Sequence, residues 1–285
     1  MPEHPPLRQR DLPISSFGPM KNFFKLLGSA RDVRRSSAIV YNTMDCLEGS
    51  SLAKLQQHCH VPIFAIGPIH KIVPSPSCSL LEEDTNCMSW LDRQAPSSVI
   101  YVSPGSLASM NETDILEMAW GLANSKQPFL WVVRPGSVHG SERADESLPE
   151  GFREITGEKG RVVKWAPQRE VLAHNAVGGF WSHCGWNSLL ESISEGVPMI
   201  CRPSFGDQKV TARYVSQVWR VGLHLEDELE RGEIESVITR LMVDKEGDEM
   251  RQRAMELKEK AELCIRTGGS SCNSLNKLVE LIKSF

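Results

Sequence analysis

The chain has 285 residues, 40% of them apolar and 24% charged, and a net charge of −4. That length allows one large or two modest domains, and the composition supports an ordinary hydrophobic core. A mildly acidic chain without a Lys/Arg block excludes a nucleic-acid footprint, and apolar runs such as Phe129–Val133 are far too short to span a bilayer.

The opening Met-Pro-Glu-His-Pro-Pro lacks an apolar run of the secretory kind, and its prolines predict an extended lead-in. A helix is predicted from Pro19 to about Arg35, with Phe23, Phe24 and Leu27 on one side. Ala38–Tyr41 reads as a short buried strand, Leu47–His58 as a helix and Pro62–Gly67 as a second strand. The stretch Ile72–Asn86 combines Pro74, Pro76 and serines with Glu82, Glu83 and Asp84, which predicts an exposed linker and a domain boundary. Cysteines at 46, 59, 78, 87, 184, 201, 264 and 272 form no C-x-x-C pair. Free thiols in a reducing cytoplasm are the economical reading.

Beyond the linker, strand and helix patterns alternate. Strands are predicted at Val99–Ser103, Phe129–Val133, Arg161–Trp165, Gly178–Ser182, Pro198–Arg202 and Gly222–Leu225. Asn111 is placed to cap a helix whose apolar stripe is Ile115, Leu116, Ala119 and Leu122, and Met250, Ala254, Leu257 and Ala261 form another stripe. A helix over Ser188–Glu195 ends at Gly196, with Pro198 beyond it. The order argues for α/β architecture: a parallel sheet with helices on both faces and a ligand site at the carboxyl ends of its strands.

Neither a G-x-x-x-x-G-K-[ST] phosphate loop nor a post-strand G-x-G-x-x-G is present. The informative segment is WAPQREVLAHNAVGGFWSHCGWNSLLESISEGVPMICRPSFGDQ, residues 165–208. It resembles the signature box of plant UDP-dependent glycosyltransferases of family 1. The likeness extends from about Asp11 to Phe285 and includes Y-V-S-x-G-S at 101–106 and F-L-W-V-V-R at 129–134.

That resemblance implies a Rossmann-like parallel sheet of the GT-B architecture, with the C-terminal donor-binding domain complete and the N-terminal domain truncated. The implied divisions are a remnant of an acceptor-binding domain at 1–70 and a linker at 71–88. A UDP-sugar-binding domain follows at 89–268, then a C-terminal helix at 269–285 that packs back toward the N-terminal domain.

An indole such as Trp165 is a stacking platform worth about 1–3 kcal/mol per base. The family places uracil there, beside Ala166 and Gln168; a core tryptophan is the alternative. His183, Asn187 and Ser188 flank a glycine turn that opens a helix, and helix N-termini suit a diphosphate. The resemblance implies diphosphate contacts from all three and from Ser106. Ser188-Leu-Leu-Glu191 also reads as a capping box, whereas the family uses Glu191 for the ribose hydroxyls. Trp186, Asp207 and Gln208 correspond to sugar-facing positions, where a terminal Gln goes with glucose, so UDP-glucose is the implied donor.

Pro104 replaces a bulky apolar residue of the family and removes one N–H donor beside the diphosphate loop. His174 reads as a packing or capping residue, and His58, Cys59 and His60 as a helix end rather than a metal cluster. The acidic stretch Glu226–Glu235 reads as solvated surface.

For an intact relative the resemblance implies one-step inverting transfer to the hydroxyl of a small-molecule acceptor, with UDP departing. No metal and no cofactor is implied, since UDP-sugar is a co-substrate. The general base, a histidine near the start of intact relatives, has no equivalent here, because His4 precedes a segment matching the middle of the family. No catalytic residue is therefore assigned, and this chain alone is expected to be inactive. A non-catalytic UDP-sugar-binding module or pseudoenzyme is the alternative. Surfaces left bare by truncation would favour association.

Overall fold

A computed structural model describes residues 7–13, 18–31, 36–73, 79, 81–106, 109–138, 148–226 and 228–285. A 3-10 turn at Gln9–Asp11 comes first, followed by α1 (Met20–Arg31), β1 (Ile39–Tyr41), α2 (Asp45–His58), β2 (Ile63–Ala65) and α3 (Ile69–Ile72). Then come α4 (Asn86–Leu91), β3 (Val99–Ser103), α5 (Glu112–Ser125), β4 (Phe129–Val132), α6 (Phe152–Thr156) and β5 (Gly160–Val163). The run continues through α7 (Gln168–Ala173), β6 (Val177–Ser182), α8 (Trp186–Glu195), β7 (Met199–Cys201), α9 (Gln208–Arg213) and β8 (Gly222–His224). Helices α10 (Arg231–Met242), α11 (Lys245–Ile265) and α12 (Ser270–Lys283) close the chain. Two compact units emerge: residues up to Leu12 with Ser77–Ala254, and Pro13–Pro76 with Met255–Phe285.

The larger unit is built on six parallel strands in the order β5-β4-β3-β6-β7-β8. Strands β3, β4 and β6 are buried at every position, as their unbroken apolar runs require in a sheet covered on both faces. Strand β3 has β4 on one side and β6 on the other, so strand order reverses beside it. The core fills around aromatics: Tyr101 stacks on Phe180 at 5.2 Å, and Trp131 meets Phe152 edge-on at 6.2 Å.

Local chemistry explains the helix ends. Asn111 caps α5 by accepting the Asp114 N–H at 2.7 Å. The buried stripe of α5 is Ile115, Met118, Ala119 and Leu122, at i, i+3, i+4 and i+7; Leu116, predicted within it, lies off that face and is exposed. Gly196 ends α8 in the left-handed conformation at φ +70°, its N–H reaching the Ser192 and Ile193 carbonyls.

The start of α8 corrects the sequence reading. Its N-cap is Gly185 and the helix opens at Trp186, so Ser188 lies inside the first turn and no capping box forms. Strand β5 stops at Val163, which leaves Trp165 just beyond a strand rather than at its last position.

In the smaller unit β1 pairs in parallel with β2, and α12 packs beside β2. Val40 and Tyr41 are exposed, unlike the buried strand predicted there, because β2 is the only described strand that β1 adjoins. Helix α1 exposes Phe24, while the Leu27 side chain and residues 32–35 lie outside the described residues. The proline-rich part of the predicted linker, 74–78, also lies outside them. Its acidic end is held down: the Asp84 N–H donates to the Trp165 carbonyl at 3.0 Å, and Arg161 pairs with the Asp84 carboxylate at 3.2 Å.

Candidate functional site

The carboxyl ends of β3 to β6 open onto a cleft of about 480 Å³ at the point where strand order reverses. Ser106, Trp165, Ala166, Gln168, His183, Trp186, Asn187, Ser188 and Glu191 all line it. Residues separated by up to 85 positions in the chain are thus gathered around one opening.

The turns after β3 and β6 explain how His183 is held. Gly105 has φ +85°, and a Cβ on it would lie 2.5 Å from His183 Cε1; one on Gly185 would lie 2.5 Å from Nε2. The imidazole is sandwiched between two glycines, and neither position has room for a side chain. Between His183 and Gly185, Cys184 adopts φ +65°, a conformation costing a non-glycine residue about 1–3 kcal/mol, and its N–H donates to Ser182 Oγ at 3.1 Å. Burial lowers the His183 pKa, which keeps the ring neutral at physiological pH, and Nδ1 has no hydrogen-bond partner among the described residues.

Helix α8 has no side-chain cap, and Gly185 and its first-turn residues Trp186, Asn187 and Ser188 line the cleft. The partial positive charge of a helix N-terminus therefore lies at the cleft wall. Beside it, Gln168 Nε2 donates to Glu191 Oε2 at 2.7 Å and to Ser188 Oγ at 3.1 Å, and Tyr101 Oη donates to Gln168 Oε1 at 3.4 Å. Glu191 thus serves a bridge between α7 and α8, not a cap. Burial raises its pKa, against the opposing pull of the Gln168 hydrogen bond and of Arg169. Trp165 is half-buried, neither a fully enclosed core residue nor a free surface one.

Asp207 and Gln208 are not brought into this cleft. Asp207 is exposed ahead of α9, and Gln208 is buried with its Oε1 accepting the N–H groups of Ser204 at 2.8 Å and Phe205 at 3.0 Å. Their loop adjoins a second cleft of about 520 Å³ through Ser204 and Lys209, and His183 lines both clefts. Pro104 also faces the second cleft; β3 pairs with β6 as far as Ser103, so the proline removes no ladder hydrogen bond from it.

Tyr101, Ser103 and Arg169 line the first cleft and were missed from sequence. The first two belong to the Y-V-S-x-G-S run, which reads only as a strand until the sheet places its end. Glu226 corrects a further expectation. Only partly solvated, unlike the exposed Glu228 and Glu230, it accepts Arg8 Nη1 at 2.9 Å, is bonded by Arg10 and lies 3.6 Å from Arg213. Arg8 also clamps buried Asp11 at 2.8 Å.

His174 is structural: Nε2 meets Asp92 at 3.2 Å and Nδ1 accepts the Ala176 N–H. His58 Nδ1 donates to the Lys54 carbonyl, as a helix-end histidine does. No group of His, Cys, Asp and Glu among the described residues could hold a metal ion, and no described helix is long and apolar enough to cross a membrane. The cysteines among the described residues are all free.

The family described as UDP-glucoronosyl and UDP-glucosyl transferase matches residues 77–259. UDP-glycosyltransferase 76E1 of Arabidopsis thaliana is 56% identical over 98% of this chain and 61% of its own length. Flavonol 3-O-glucosyltransferase UGT76E12 of the same plant is 52% identical over 100% of this chain and 62% of its own. A solved structure of Phytolacca americana UGT2 with UDP-2-fluoro-glucose and pterostilbene superposes with a TM-score of 0.85 at 33% identity, covering 96% of this chain and 61% of that one. The chain belongs to the UDP-glucuronosyl and UDP-glucosyl transferase family, in its plant family 1 branch, and its sheet is the Rossmann-like sheet of the GT-B architecture. It spans about 61% of the length of these relatives.

Proposed function

We propose that the first cleft holds a UDP-sugar and that the whole protein transfers the sugar, glucose, to a hydroxyl of a small-molecule acceptor with inversion. The carrying observation is the convergence of eight signature-box positions and Ser106 on one crevice at the sheet's switch point. In this reading Trp165 stacks on uracil beside Ala166 and Gln168, and Glu191 accepts the ribose hydroxyls. The α8 N-terminus, His183, Asn187, Ser188 and Ser106 receive the diphosphate. Neutral His183 suits that role, because it donates a hydrogen bond without needing a counter-charge. Asp207 and Gln208 act on the sugar from the second cleft's edge.

No catalytic base is assigned within these residues, so binding is the first test. Titrating the chain calorimetrically with UDP and UDP-glucose should show saturable binding of both. Trp165→Ala should weaken it by about 1–3 kcal/mol, roughly 5- to 150-fold. Equal affinity in the variant would remove Trp165 from the nucleotide site. Binding without transfer to phenolic acceptors is expected of this chain in either reading, whereas robust turnover would place a catalytic base within it.

A further inference from the structure

The second cleft lies at the carboxyl ends of β3, β6, β7 and β8 and has two unlike surfaces. Its floor is apolar: Val102, Met110, Met118, Trp181 and Leu229 are each 8% exposed or less. Its rim is charged, with an excess of cations. Arg8, Arg10, Arg202 and Lys209 line it against Asp11, Asp114 and Glu226; Arg8 bridges Asp11 and Glu226, and Arg10 pairs with Glu226. Lys209, exposed at the start of α9, lines the cleft and makes no ion pair with the described residues.

His224 also belongs to the cleft wall. Its side chain is only 8% exposed and lines the cleft, and its Nδ1 makes no hydrogen bond; the nearest Glu226 oxygen is 3.5 Å away. That nitrogen has no open surface, so only the rest of the ring is offered to a cleft occupant.

We propose that this cleft takes an organic carboxylate, with the apolar body on the Met118–Trp181 floor and the carboxylate at Lys209 and His224. An inorganic anion would leave most of the floor uncovered, and the volume of about 520 Å³ suits a small organic molecule. His183 is common to both clefts, so the occupant lies beside the donor. The acceptor class is therefore a hydroxy acid, an assignment that rests on the UDP-sugar reading of the first cleft.

The test titrates the full chain with 4-hydroxycinnamate, its methyl ester and inorganic phosphate, each with and without saturating UDP. The acid should bind about tenfold more tightly than the ester, with phosphate competing weakly and UDP changing the acid's affinity less than about threefold. Lys209→Gln should abolish the preference for acid over ester and leave UDP affinity unchanged, and Lys209→Arg should keep it. Equal binding of acid and ester, displacement of the acid by UDP, or phosphate competing as well as the acid would each overturn the proposal. Acid binding without any UDP binding would instead retain the carboxylate cleft and sink the donor reading.

Discussion

Glu191 is pulled in two directions. Burial at the cleft raises its carboxyl pKa above the ordinary 4.5, while the proposed ribose contact needs the carboxylate. A raised acid pKa in the folded state means that the native chain holds more protons than the unfolded one. The stability it contributes is full below about pH 4.5 and is lost as pH rises through the folded-state value. Glu191→Gln should therefore melt at a higher temperature than the parent at pH 7, in a thermal-unfolding series across pH. Calorimetry on the same variant should show UDP binding weakened by about 1.5–3 kcal/mol, the range for hydrogen bonds to charged groups. A rise in melting temperature with unchanged affinity would leave Glu191 only its bridging role. The residue types at 165–191 were legible in the sequence, but their partners were not. Ser188 and Glu191 have the spacing of a capping box, yet both are bonded by Gln168, at least 20 positions away in the chain. Local spacing records which groups are near along a helix, and says nothing of a helix that folds against it.

At the scale of elements, sequence and structure agree where a local cause dominates. All six predicted strands of the large sheet form, most shortened by a residue or two, because a strand buried on both faces must read as a continuous apolar run. Asn111 is also a local signal, since its carbonyl needs only the N–H three residues ahead. Asn111→Ala should lower stability by about 1 kcal/mol, read as a reduced denaturant midpoint with an unchanged m-value. A neutral effect would mean that packing of Ile115, Met118 and Leu122 alone sets the start of α5. Where tertiary contacts decide, the pattern misleads. Leu116 looks like part of the α5 stripe but points away from the core, and the β1 run Ile39–Tyr41 is apolar yet largely exposed.

At the scale of the whole molecule, the link between Arg8, Asp11 and Glu226 joins the start of the chain to the end of β8 across 218 positions. Burial alone would raise the Asp11 and Glu226 pKa values, but hydrogen bonds from Arg8 outweigh it and hold both below their ordinary 3.8 and 4.5. Depressed acid pKa values contribute stability that is present above those ordinary values and lost as pH falls through the folded-state ones. Asp11→Ala should cost about 2–4 kcal/mol at pH 7, since Asp11 is 2% exposed and two guanidiniums lose their partner. In urea unfolding, the gap between parent and variant should narrow as pH drops below about 3.8; a constant gap would exclude the ion pairs as its source. No such network was readable from the acidic run at 226–235, because charge along a chain does not reveal which cations fold onto it. By itself the sequence determined the strands, the glycine that ends α8 and the family, since each is written in residues that act on near neighbours or in one uninterrupted box. Only the tertiary structure decided which of those residues share a cleft, that Asp207 and Gln208 stand outside it, and that a second cleft shares His183. Those outcomes depend on strand order, which brings together side chains that the chain itself keeps far apart.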